Sequence, residues 1–337
     1  MKTMAQIKSG MVDPKVKLLR YMDRIQGVME GNFKAPIMAD VDVVQGVCNL
    51  DCEWCCQRRS REEKSSLFMK KETMERMGPF CKEWGVKSWR IAGDSEPTLN
   101  KDLSVLLQSG HDNGIDMGLI TNGTLLQNIK NLQYLTWIGV SLDASTPEIW
   151  CKLKHSPEKF FWQIIDNIKM IRKEYPHIDV TLKFIKFSAS GDMGRKEQFA
   201  KKMFAELENV DNHKDAELLP ALADDLGVNY HIIDAFKKNP KYKFDVCRAT
   251  PLYGTFGADH KFYICCDRRY GPILTMDYTK DNWNELLRLW GSDEHKKIID
   301  AIRPPSCAFC SKAWLNTVME NVMLDGKHSK EYQVNFI

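Results

Sequence analysis

The chain has 337 residues, 43% hydrophobic and 28% charged, a globular balance that excludes wholesale disorder. A net charge of +3 provides no basic field of the kind that marks a nucleic-acid binder. No apolar run approaches the roughly 20 residues of a membrane helix. The opening segment mixes Lys, Asp, Arg and Glu with no signal-peptide core, so a cytoplasmic protein with no membrane partner is expected.

Residues 1–36 read as an N-terminal helix and linker. Asp13-Pro14 suits a cap and first turn, Val16, Leu18, Leu19, Met22, Ile25 and Met29 recur at helical spacing, and Gly31-Asn32 and Pro36 break the pattern. From 37 to 235 short apolar runs alternate with longer amphipathic stretches. The pattern predicts strands over 37–44, 86–92, 115–121, 137–142, 180–187 and 229–233, and helices over 71–84, 103–113, 157–175, 195–208 and 216–226. A βα repeat of about six units predicts an α/β fold, a partial (β/α)6 barrel with fewer than the eight units of a closed one. From 236 to 337 the pattern changes to a smaller α+β module. After the polar break at 240–243, a hairpin is predicted over 252–264 with its turn at 257–260, then helices near 282–290 and 294–302 before Pro304-Pro305.

Eleven cysteines are present, an odd number gathered into tight groups, which suits metal binding better than a secreted disulfide framework. Cys48, Cys52 and Cys55 form C-x3-C-x2-C directly after the first predicted strand, on the face of a parallel sheet where ligands bind. Three thiolates on one loop can hold three irons of a [4Fe–4S] cube and leave the fourth iron open. Cys56, adjacent to Cys55, is badly placed to ligate the same cube. A structural zinc loop is the alternative, and it would need a fourth ligand. The second group pairs Cys247 and Cys265, on either side of the predicted hairpin, with Cys307 and Cys310, spaced C-x2-C. These four make a sound thiolate site, for which zinc again stands as the alternative metal.

On these residues the chain resembles a radical S-adenosylmethionine (radical SAM) enzyme over residues 37–315. Gly93-Asp94-Ser95-Glu96-Pro97 resembles the family's Gly-Gly-Glu-Pro segment, which receives the amino group of SAM, with Asp94 and Ser95 standing where glycines are usual. The resemblance places Thr121, Asn122 and Ser141, at the ends of later strands, near the ribose and carboxylate of SAM, and Trp54 near its adenine. Taken singly, Asn122-Gly123 is a turn signal, Glu96-Pro97 a strand exit and Trp54 a core residue. The second cysteine group resembles the twitch form of the SPASM/twitch auxiliary-cluster module, in a register that makes Cys265 the ligand. Cys266 is then a spare thiol, either a small buried hydrophobe or a hydrogen-atom donor of the kind some radical SAM epimerases use. Cys56, Cys81 and Cys151 read as structural. The arginine pairs at 58–59 and 268–269 suit either anion binding or ion pairs with nearby acids.

The resemblance implies a [4Fe–4S] cluster with one open iron that chelates SAM, a flavodoxin or ferredoxin as reductant, and a 5′-deoxyadenosyl radical that abstracts a substrate hydrogen atom. A second, fully ligated [4Fe–4S] cluster favours net oxidation, either dehydrogenation or cross-link formation, of a small molecule or peptide. Epimerisation through Cys266 is the alternative, and a non-catalytic iron–sulfur or zinc protein ranks below it. With 36 residues before the first strand, no fused leader-recognition domain is expected.

Overall fold

The computed structural model describes residues 16–52, 55, 66–93, 95–186, 211–234, 243–268, 271–279, 283–304, 307, 310–324 and 326–332. A 3-10 turn (Val16–Tyr21) leads into helix α1 (Met22–Met29). Strand β1 (Met38–Asp42) is followed by β2 (Val44–Gln45), which pairs antiparallel with β3 (Leu67–Phe68). Helix α2 (Lys71–Trp84) comes next and stops at Gly85, whose φ of 102° suits a residue without a β-carbon. The chain continues through β4 (Ser88–Ala92), α3 (Leu103–Asp112), β5 (Asp116–Thr121) and β6 (Trp137–Ser141). Helices α4 (Pro147–Lys154) and α5 (Glu158–Glu174), strand β7 (Asp179–Lys186), helix α6 (His213–Asp225) and strand β8 (Asn229–Asp234) complete the repeat.

Strands β1, β4, β5, β6, β7 and β8 pair in that order, all parallel, which gives the expected partial barrel. Two details add to the pattern-based expectation. The link from β5 to β6, over which no helix is predicted, holds two 3-10 turns (Leu126–Asn128 and Leu132–Tyr134). The crossover from β6 to β7 contains α4 as well as α5, and α4 begins with Pro147 in its first turn. The helix expected over 195–208 lies outside the described residues.

Strands β9 (Tyr253–Phe256) and β10 (Phe262–Tyr263) form the expected hairpin, and β10 also pairs with β11 (Ile273–Thr275). β9 lies parallel to β1, with Met38 opposite Tyr253, so the hairpin extends the barrel sheet. Helices α7 (Trp283–Leu289), α8 (Asp293–Asp300) and α9 (Ala313–Val318) follow. Aromatic contacts join this region to α2: Phe80 meets Trp283 at 4.5 Å and Trp84 meets Trp290 at 5.1 Å between ring centroids. Helix α1 packs Ile25 and Val28 against Leu252, Leu315 and Met319.

Alternation along the strands sorts their side chains by face. Val41, Ile91, Leu119, Val140 and Leu182 enter the hydrophobic core shared with Met74, Met77, Leu106 and Ile168 of the helices. The opposite face carries the charged or polar Asp40, Arg90, Lys183 and His231, with Gly118, Ile120, Trp137 and Gly139 between them. A polar face turned away from the helices needs an occupant other than a packed core.

Candidate active site

Because the barrel strands are parallel, the loops that follow β1, β4, β5 and β6 gather at one edge of the sheet. The loop with Cys48, Cys52 and Cys55 leaves the β2–β3 ladder there, and Cys55 N donates to Cys52 O at 3.1 Å. Val47 N donates to Ser95 Oγ at 3.1 Å, which ties this loop to the segment after β4. Asn49 ties it to the next loop: Asn122 Nδ2 donates to Asn49 Oδ1 at 2.8 Å, and Asn49 Nδ2 donates to Thr124 Oγ1 at 2.8 Å. Gly93 has a φ of 143°, and a β-carbon there would stand 3.3 Å from the Asp42 carboxyl group.

Glu96 is the hub of this edge. Its Oε1 accepts from Thr98 N (3.1 Å), Thr98 Oγ1 (2.7 Å) and Thr121 Oγ1 (2.6 Å), and its Oε2 accepts from Asn122 N (2.7 Å). Only 2% of the residue is exposed, and burial pushes its carboxyl above the usual carboxylate range, against the pull of these bonds. The side chains of Ser95, Glu96, Thr121 and Asn122 are therefore engaged with one another and with the cysteine loop. Pro97 opens the 3-10 turn that Glu96 caps. Ser141 is half-buried at the tip of β6. Trp54, Asp94 and Cys56 lie outside the described residues, as do Arg58 and Arg59.

Sequence reasoning passed over Lys154, the last residue of α4. Its Nζ donates to Asp143 Oδ2 at 2.6 Å and to the Ser141 carbonyl at 3.1 Å, and its side chain is 2% exposed. Burial works against its charge, but Asp143, Cys52 and Cys48 together hold the pKa above the usual lysine value. A basic residue at a helix end is an ordinary sequence feature. Its aim at the cysteine loop depends on the β6–α4 turn, where Asp143 has a φ of 61°.

Residues 43–187 match the family described as the radical SAM superfamily. The chain carries a radical SAM domain. Two probable GTP 3′,8-cyclases are similar to it. That of Methanococcus vannielii is 27% identical over 56% of this chain and 60% of its own length. That of Methanococcus maripaludis (strain C7) is 34% identical over 30% of this chain and 35% of its own. The matched stretches thus span less than two thirds of these curated relatives. Among solved structures, Streptococcus suis SuiB bound to precursor peptide SuiA shares the fold with a TM-score of 0.54 at 14% identity, over 90% of this chain and 75% of SuiB.

The second cysteine group lies at the other edge of the radical SAM sheet. β10 runs against β9, so Cys265 and Cys266 emerge at the amino-terminal ends of the parallel strands. Cys247, Cys265, Cys307 and Cys310 line one cavity with Phe244, Asp267, Ile302 and Pro304. Asp267 Oδ2 accepts from Ser311 N (2.7 Å) and Ser311 Oγ (2.8 Å), which joins the two halves of the site. Asn316 Oδ1 accepts from Arg248 N (2.7 Å) and Ala249 N (2.8 Å), which fixes the Cys247 segment to α9. Desolvation pushes the Cys265 thiol up to about 12 and Cys310 up to about 11, so a metal entering this cavity would displace protons. Cys266 is not part of that lining. It is 6% exposed, and Lys312 Nζ stands 2.9 Å from its sulfur and 4.6 Å from the centre of the Tyr253 ring.

Among the described residues, no three His, Cys, Asp or Glu side chains converge where a single metal ion would sit. Among them, too, no helix is long and apolar enough to cross a membrane.

Proposed function

We propose that this chain is a two-cluster radical SAM enzyme that carries out a net oxidation of a small molecule or peptide, with Cys48, Cys52 and Cys55 as ligands of the SAM-binding cluster. The observation that carries the reading is the cavity lined by Cys247, Cys265, Cys307 and Cys310, across the polar sheet face from the Cys48 loop. When bound, the clusters and SAM would supply a 5′-deoxyadenosyl radical for hydrogen abstraction and a sink for the electron left on the substrate. The chain's own part is positioning. Glu96 and Asn122 lock the strand ends against the cysteine loop, and Lys154 keeps a cation beside Cys48 and Cys52 to offset anionic cluster sulfur and the SAM carboxylate. Trp137 lies over Gly118 and Gly139 and forms the floor of the polar face. A flavodoxin or ferredoxin would supply the electron.

The test is anaerobic reconstitution followed by detection of 5′-deoxyadenosine from SAM under reduction by flavodoxin. Formation of 5′-deoxyadenosine supports the reading. Its absence in protein that has taken up iron favours a non-catalytic iron–sulfur protein.

Cys266 favours a second reading, epimerisation, because its thiol lies outside the four-cysteine cavity and within reach of Lys312. Cys266→Ser keeps an acceptor for Lys312 but removes the weak S–H bond that a hydrogen-atom donor requires. An epimerase so altered would cleave SAM without returning hydrogen to its substrate, whereas a dehydrogenase would turn over nearly unchanged.

A further inference from the structure

The polar sheet face between the two cysteine groups holds a cation with no part in the proposed SAM chemistry. Lys183 of β7 projects onto it, directly opposite Ser141 of β6 and His231 of β8. Among the described residues no hydrogen bond or ion pair reaches its ammonium group. The acids whose charges it feels, Asp143 and Asp40, are engaged by Lys154 at 2.6 Å and by Arg90 at 2.6 Å. Arg90, from β4, holds both carboxylate oxygens of Asp40, at 2.7 and 2.6 Å. Desolvation, reinforced by the charge of Arg90, lowers the Lys183 pKa, and desolvation together with Lys183 lowers that of His231. Arg90 and Lys183 thus both stand on this face, with the Asp40 carboxylate between β1 and β4 already held by Arg90.

Glycines let the Trp137 ring lie close against the sheet between these cations. Gly118 and Gly139 occupy β5 and β6 between Arg90 and Lys183, and β-carbons there would stand 2.8 and 2.7 Å from the Trp137 ring. The indole lies across both glycines and donates through Nε1 to Thr181 Oγ1 at 3.0 Å. The Lys183 stem passes 3.0 Å from where the Gly139 β-carbon would be. The result is a flat aromatic floor flanked by two cations, placed between the two candidate cluster sites.

We propose that the substrate carries an oxyanion, a carboxylate or a phosphate, which seats against Lys183 and Arg90 above the Trp137 ring. The proposal rests on the radical SAM reading only for the word substrate; the anion site itself stands on the sheet face. A desolvated ammonium without a direct hydrogen bond among the described residues is costly to fold around, and an entering oxyanion would relieve that cost while gaining a charge-assisted hydrogen bond.

The test uses the reconstituted full chain under anaerobic conditions with saturating SAM, so that the place of the SAM carboxylate is filled. Pyrophosphate and malonate are titrated separately by calorimetry into wild type, Lys183→Met and Lys183→Arg. Binding of pyrophosphate assigns a phosphate substrate and binding of malonate a carboxylate one. In either arm Lys183→Met should weaken binding about ten- to hundred-fold, the worth of one charge-assisted bond, while Lys183→Arg retains most of it. Thermal stability of Lys183→Met should equal or exceed that of wild type, because a half-buried charge with no direct bond among the described residues is removed, so lost binding would not reflect misfolding. Failure of both probes to bind wild type, or equal binding by Lys183→Met, overturns the proposal. SAM cleavage in the same samples reports on the enzymatic reading independently.

Discussion

Glu96→Gln separates two roles for the segment after β4, direct contact with SAM and locking of the strand ends. Glutamine can keep its oxygen where Oε1 accepts three bonds, from Thr98 N, Thr98 Oγ1 and Thr121 Oγ1. Its amide nitrogen then opposes Asn122 N, which donates to Oε2 at 2.7 Å in the native chain. One buried donor loses its acceptor, and the expected cost is about 1–3 kcal/mol. Glu96→Ala strands the backbone N–H groups of both Thr98 and Asn122, for about 2–6 kcal/mol from two such groups. Urea denaturation of the two variants beside wild type measures these costs, read as shifts of the midpoint at unchanged slope. If Glu96→Gln unfolds at the wild-type midpoint yet fails to bind SAM, the carboxylate faces the ligand and the locking role is wrong.

Lys154→Met should cost about 3–5 kcal/mol, because Asp143, itself 3% exposed, is left buried without its cation. Adding Asp143→Asn should restore most of that stability, measured by urea denaturation, while SAM affinity stays low in both variants because the cation beside Cys48 and Cys52 is absent. His295 is fully buried, its Nδ1 accepts from Gly291 N at 3.1 Å, and desolvation lowers its pKa to about 4. Between pH 6.5 and 4 the unfolded chain therefore binds a proton that the folded chain refuses. This contribution to stability is intact above pH 6.5 and falls by about 3 kcal/mol as pH drops to 4. His295→Asn, which keeps an acceptor for Gly291, should flatten the pH dependence in that window, and an unchanged slope would refute the assignment.

Most of the barrel was legible because its signals are local. Helix α2 matches its predicted limits, 71–84, since an apolar stripe and Gly85 mark both its packing face and its end. The β5–β6 link was not legible as 3-10 turns, because Leu126, Leu132 and Leu135 are buried at spacings that also suit a helix. The Cys48 loop and the Cys247, Cys265, Cys307 and Cys310 set could be read from spacing, and the structure brings the latter four around one cavity. Glu96 could be picked out by resemblance, but its four hydrogen bonds depend on how β4 and β5 end side by side. Lys154 and Lys183 went unnoticed for a similar reason. An isolated lysine in a helix or strand has no distinctive pattern, and only the pairing of β6 with β7 and the turn at Asp143 give these two their surroundings.

On the proposed reading one loop would hold an open-iron cube and a second site a closed one. Iron and sulfide analysis with electron paramagnetic resonance on anaerobically reconstituted protein distinguishes the two. About eight irons per chain are expected. About four should remain when Cys48, Cys52 and Cys55 are replaced by alanine, with a signal that SAM perturbs only when those three cysteines are present. Loss of iron on replacing Cys265, with retention on replacing Cys266, would complete the pattern. Zinc in place of iron at the loop, or a loop-cluster signal indifferent to SAM, would rule out a SAM-binding cluster there.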